Sequence, residues 1–281
     1  RDLRMSRGLG DVYKRQIMNS GIYMALHCLI LAGSNVLVAL LGCRRIRQPL
    51  GGLFRTTDFS GWKAFQYICI GIGLQYVAVL IYAVLKYVGQ GLGMEFPEVS
   101  FDYFQTGQST MLVLLYTCIL APITEELLFR GFLLKSLSVV STRFGVIVTA
   151  LLFGLMHGNV QQGILGVLVG LFLGKIVIRH NSLTPSILAH IALNTSSTLI
   201  SVLLALLPEN IGNVAILPLE FVVLAMAVMG VAFWFGKERK EPLPYPTQKQ
   251  ATRNRVFWSS PLLLLAFAAL LGLMVYHAMA V

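Results

Sequence analysis

The sequence predicts an all-α fold, a polytopic integral membrane bundle of about eight transmembrane helices. Three observations carry that expectation. The 281 residues are 56% hydrophobic and only 12% charged, with a mean hydropathy of +0.75, well outside the range of ordinary soluble domains. Apolar stretches of about 20 residues, the length that crosses a hydrocarbon core of about 30 Å, recur along the chain. Past the first sixteen residues, loops rich in Lys and Arg alternate with loops that contain none, as the positive-inside rule requires of a chain that crosses repeatedly. All of these apolar stretches read as helices, because an open strand cannot satisfy its backbone in lipid.

Arg1 to Gln16 is basic and aperiodic, and is expected to be a non-native or disordered extension. Residues 17–281 are expected to form a single membrane domain. Its spans run from about Ile17 to Leu41, Ala64 to Val88, Thr110 to Leu137, Phe144 to His157, Gly163 to Ile178, Leu183 to Leu207, Val214 to Phe235 and Trp258 to Val281. The fourth is short for a full crossing. Gly166, Gly170 and Gly174 give the fifth a smooth face for close helix approach. A stretch rich in Pro and charge, about 237–257, reads as a cytoplasmic linker.

The loops fix the orientation. Arg44, Arg45, Arg47, Arg55 and Lys63 follow the first span, Arg130, Lys135 and Arg143 the third, and Lys175 and Arg179 mark the end of the fifth. The intervening loops 89–109, 158–162 and 208–213 contain no Lys or Arg, so the basic loops face the cytoplasm. The net charge of +10 therefore reports topology and excludes nucleic acid as a partner; the lipid bilayer is the surrounding medium. Cys28, Cys43, Cys69 and Cys118 lack paired spacing and read as small core residues. Trp62, Trp234 and Trp258 lie at span ends, where aromatic belts form.

Charge interrupts the apolar pattern most sharply at Ala121 to Gly131, where Glu125, Glu126 and Arg130 sit inside the third span. A charged group near the middle of a membrane helix costs about 2.5–3.5 kcal/mol on insertion scales and usually marks function. Glu126 and Arg130 are four apart and share a helix face, whereas Glu125 is turned about 100° away. Glu126 and Arg130 thus read as an internal brace, with Glu125 as the chemically available carboxylate. A buried ion pair that only fixes helix packing is the alternative. Pro122, just before the pair, can free backbone groups beside the carboxylates.

Three further polar residues fall at helical spacing. Phe153 and His157 share one face, and His190 and Asn194 another. At 1.5 Å rise per residue, Glu125 lies about 15 Å from the level of Lys135, His190 about 15 Å from His180, and His157 about 21 Å from Arg143. All three can meet near the midplane of one bilayer. His27 and His277 are isolated on apolar spans and His180 lies at a loop; all three read as packing or interface residues.

These residues carry a resemblance. Glu-Glu-x-x-x-Arg at Glu125, Glu126 and Arg130, Phe-x-x-x-His at Phe153 and His157, and His-x-x-x-Asn at His190 and Asn194 resemble, in this order, the motifs of the CAAX-processing and bacteriocin-processing (CPBP, Abi) intramembrane proteases. The resemblance covers about 110–207, the expected catalytic core. It implies peptide-bond hydrolysis in the membrane, with a peptide or a membrane-anchored protein as substrate. In that family's terms Glu125 and His157 activate a water, His190 and Asn194 stabilise the oxyanion, and Glu126 and Arg130 hold the site together. Hydrolysis does need a base for water and donors aimed at the developing oxyanion. Glu125, His157 and His190 could also ligate a metal such as zinc, although the glutamate-and-histidine mechanism needs none and the paired histidines of His-Glu-x-x-His do not occur here. Two other classes fit parts of the pattern: a non-catalytic immunity protein that keeps the motifs for structure, and a proton-coupled transporter. The inferred setting is a bacterial cytoplasmic membrane.

Overall fold

Long apolar helices dominate the architecture. The structure, a computed structural model, describes residues 21–56, 59–93, 107–139, 141–238, 265 and 267–272. Among these residues no strand occurs. Helix α1 spans Gly21–Arg45, and α2 spans Gly61–Gly91. Helix α3 is continuous over 107–138 but changes its hydrogen-bond register twice. Helices α4 (Thr142–Leu155), α5 (Val160–His180) and α6 (Thr184–Leu206) follow. A short α7 (Glu209–Ala215) leads into α8 (Leu217–Phe233), which runs on through a wide turn at Trp234–Glu238.

Six of these helices are long and apolar enough to cross a membrane, and α4 is a shorter apolar helix of 14 residues. The chain is an integral multi-pass membrane protein. The expected first extension, the loop at 94–106, and Trp258 and His277 lie outside the described residues; of the expected eighth span only residue 265 and residues 267–272 are described. Two boundaries differ from the sequence reading. The seventh span divides at Ile216, ahead of Pro218, into α7 and α8, and helical backbone continues through Glu238, past the expected start of the linker. Large apolar side chains such as Leu29, Leu80 and Phe221 are exposed, as lipid-facing positions must be.

Helix α2 is packed by α5, α6 and α8 around Tyr67, Ile72, Phe172, Leu193 and Ala227. Lipid tails are as apolar as side chains, so close approach through small residues drives such packing. A Cβ at Gly230 of α8 would lie 2.0 Å from the carbonyl oxygen of Cys69 on α2. The glycine face expected on α5 is where α4 lies: a Cβ at Gly166 would come within 2.8 Å of Gly154 Cα, and one at Gly170 within 2.9 Å of Ala150 Cα. This contact holds the short α4 against its neighbour.

One end of the bundle gathers charge. The Glu238 carboxylate accepts from Lys63 of α2 and Arg179 of α5, and its carbonyl accepts from Lys175. Burial alone would raise the Glu238 carboxyl pKa; the hydrogen bonds from Lys63 and Arg179 outweigh it and hold the group below the usual carboxylate range. Tyr67 Oη lies 2.9 Å from His180 Nε2, so His180, expected at a loop, is engaged in packing. Asn181 takes a left-handed conformation (φ 46°) that turns the chain from α5 into α6. There Leu183 N–H donates to Leu53 O at 2.7 Å and Thr184 Oγ1 to Phe54 O at 3.0 Å, which seats the start of α6 on the loop after α1.

Candidate active site

Helix α3 supplies the carboxylates, and its backbone is irregular on both sides of them. Over Tyr116–Leu120 the turn is widened, so that Ala121 N–H donates to Tyr116 O, five residues back. Residue 122 is proline and has no N–H. The donor that the widened register would bring to Thr117 O is therefore missing, and the ordinary α-helical donor, Ala121 N–H, is already committed. A second widened stretch, Leu127–Leu134, surrounds Arg130. Insertions of this kind are rare in helices and collect at functional sites.

Glu126 and Arg130 are both fully buried. Arg130 Nη1 donates to Glu126 Oε1 at 2.7 Å, and Nη2 to the carbonyl of Gly170 on α5 at 3.3 Å. The brace expected from four-residue spacing thus also ties α3 to α5. Glu126 Oε1 also faces His190 Nδ1 at 3.1 Å. A carboxylate that already accepts from a guanidinium can only accept again, so Nδ1 carries the hydrogen. The remaining nitrogen, Nε2, faces Glu125 Oε2 at 3.7 Å. One imidazole from α6 therefore spans both adjacent carboxylates, with Glu125 as its outer partner, 12% exposed at the side chain.

His157 lies in the turn just beyond the helical end of α4 at Leu155, not within the helix as its spacing to Phe153 suggested. Gly158, with φ 69°, reverses the chain immediately after it. His157 Nδ1 is 2.8 Å from Phe153 O. A carbonyl only accepts, so Nδ1 holds the hydrogen and the neutral ring presents its lone pair at Nε2. The Phe153 ring meets three members of the cluster. Its centroid is 5.2 Å from that of His157 and 5.7 Å from that of His190, both edge to face, and 4.5 Å from Arg130 Cζ. Sequence reasoning gave Phe153 only its spacing; its place under both imidazoles depends on how α3, α4 and α6 pack.

Asn194 sits one turn after His190 on α6, half-buried. Its Nδ2 donates at 3.0 Å to Thr117 O, the carbonyl left without a helical donor by Pro122. Thr117 was not singled out in the sequence; the proline five residues on is the signal that marks it. Among the described residues no group of three His, Cys, Asp or Glu side chains is arranged to hold a metal ion. As they stand, the donors do not fit such a group. The cysteines are free, and Cys43 Sγ lies 3.7 Å from the Gly131 carbonyl in the second widened stretch.

Compared with known proteins, residues 107–196 match the family model described as type II CAAX prenyl endopeptidase, Rce1-like. The match spans about a third of the chain, and over that stretch the protein is similar to the CAAX proteases. The matched segment runs from the start of α3 into α6 and includes every residue of the cluster above. Helices α1, α2, α7 and α8 lie outside it. No curated protein and no solved structure shows a significant match.

Proposed function

We propose that this protein hydrolyses a peptide bond of a membrane-anchored protein or peptide substrate, using water activated by Glu125 and His157. The observation that carries the reading is the opposition of Glu125 Oε2 and His190 Nε2 at 3.7 Å, with the Glu126–Arg130 pair behind them. His190 Nδ1 is fixed on Glu126, so Nε2 is the one position at which this ring gains or loses a proton. Glu125 Oε2 is the carboxylate oxygen that faces this nitrogen. His157, with its lone pair at Nε2, supplies a second acceptor for the attacking water.

In this scheme water gives one proton to Glu125 as its oxygen bonds to the scissile carbonyl carbon. Charge developing on the carbonyl oxygen is met by protonated His190 and by the amide hydrogen of Asn194 that Thr117 does not use. Collapse breaks the C–N bond, and the proton held by Glu125 passes to the leaving amine. Glu126 and Arg130 touch no substrate; they orient His190. The end of the bundle bearing Lys63, Lys175 and Arg179 faces the cytoplasm by the distribution of charge, and substrates enter from that side, in a bacterium across the inner-membrane leaflet.

The test is cleavage of a prenylated CAAX peptide by the full chain reconstituted in vesicles, with products identified by mass. Wild-type protein releases the C-terminal tripeptide, and Glu125→Gln, folded to the same extent, does not. Cleavage by Glu125→Gln at the wild-type rate overturns the assignment.

A further inference from the structure

We infer that Pro122 and the Thr117 carbonyl are a positioning device that clamps α6 to α3 through Asn194, setting the spacing of the site. The inference deepens the proposed function, and its relevance to catalysis rests on that reading. Asn194 Nδ2 donates to Thr117 O at 3.0 Å. Two features make that oxygen available: Ala121 N–H is diverted to Tyr116 O, and residue 122 has no N–H. A carbonyl without a donor is costly inside a membrane, and Thr117, though only part-buried, lies on a membrane-spanning helix, so α6 is drawn to supply one.

The clamp sits where it controls the chemistry. Thr117 lies upstream of Glu125 on the same helix, and Asn194 lies one turn from His190. A link between them fixes how far α6 stands from α3, and hence the 3.7 Å between Glu125 Oε2 and His190 Nε2. Asn194 thus divides its amide, one hydrogen to the backbone of α3 and the other left for the substrate oxygen. Pro122, which touches neither imidazole by hydrogen bond, acts on the site through the bond it cannot make.

The experiment is a double-mutant cycle between Pro122→Ala and Asn194→Ala, read by thermal midpoint in detergent and by kcat and KM for the prenylated peptide. Alanine at 122 restores an N–H that can bond Thr117 O. In wild-type background Asn194→Ala lowers the midpoint by several degrees; in Pro122→Ala background it lowers it by less than half as much. Pro122→Ala alone lowers kcat at least about fivefold with KM within a factor of about two. Equal midpoint losses in the two backgrounds overturn the clamp. Should Pro122→Ala not accumulate, Asn194→Leu, which keeps the volume and removes the donor, decides the matter: a midpoint as low as that of Asn194→Ala supports the clamp, and a wild-type midpoint overturns it. The midpoint needs no cleavage, so a coupled cycle in a protein that cleaves nothing sinks the protease reading and leaves the clamp standing.

Discussion

Replacing Arg130 with methionine removes the guanidinium that pairs with a fully buried carboxylate. Both side chains are fully buried and the charged atoms are 2.7 Å apart. At an effective dielectric of about 20, their attraction is about 6 kcal/mol. Removing one member of a buried pair typically costs about 3–5 kcal/mol, because the other charge remains desolvated and unpaired. Arg130→Met also forfeits the bond to Gly170 O and the contact with the Phe153 ring. We predict a loss of about 3–5 kcal/mol for this variant in reversible unfolding from mixed micelles. Glu126→Leu/Arg130→Met, which leaves no charge behind, should recover stability to within about 1–2 kcal/mol of wild type. Its cleavage should stay abolished, since His190 Nδ1 has lost its acceptor. A single variant as stable as wild type, or a double variant as unstable as the single, would refute the reasoning.

Three other outcomes follow from the same contacts. Gly170→Val places atoms within about 3 Å of the Ala150 backbone and should lower the thermal midpoint, whereas Gly33→Ala, with nothing within 4 Å of its Cβ, should not; equal effects would contradict the packing described. Phe153→Leu should lower kcat at least about tenfold and Phe153→Tyr should retain most of it, given the ring's contacts with His157, His190 and Arg130; indistinguishable rates would remove the platform role. Glu238, with its carboxyl held low, contributes stability that is complete above the ordinary glutamate pKa of about 4.3 and lost as pH falls through the lowered folded value. Glu238→Gln should accordingly flatten the acid-side fall of the midpoint, and parallel curves for the two proteins would argue against it.

Much of this was legible in the chain because membrane helices carry their logic locally. Four-residue spacing announced the Glu126–Arg130 pair, glycine spacing announced a face of α5 for close helix approach, and a proline announced freed backbone in α3, though beside the carboxylates and not at Thr117. What could not be read was set by register and by distance along the chain. Two widened stretches in α3 leave no mark in composition, since the same side chains suit either hydrogen-bond register. The one imidazole that spans both carboxylates joins residues 64 positions apart, at Glu126 and His190. The cluster at Glu238 draws on Lys63 and Arg179, which share no spacing with it. His157 looked helical by its interval from Phe153; Gly158 ends the run, and the interval survives as a side-chain bond to the Phe153 carbonyl.

The central claim is that groups from separate helices act on one water as a unit. It is tested most directly by kcat/KM of wild type, Glu125→Gln, His190→Ala and the combined variant in vesicles. Residues that work as a unit lose most of their effect with the first substitution, so each single variant should fall at least about 100-fold and the combined variant no further than the weaker of the two. Losses that multiply, or a single variant that cleaves at the wild-type rate, would contradict the account.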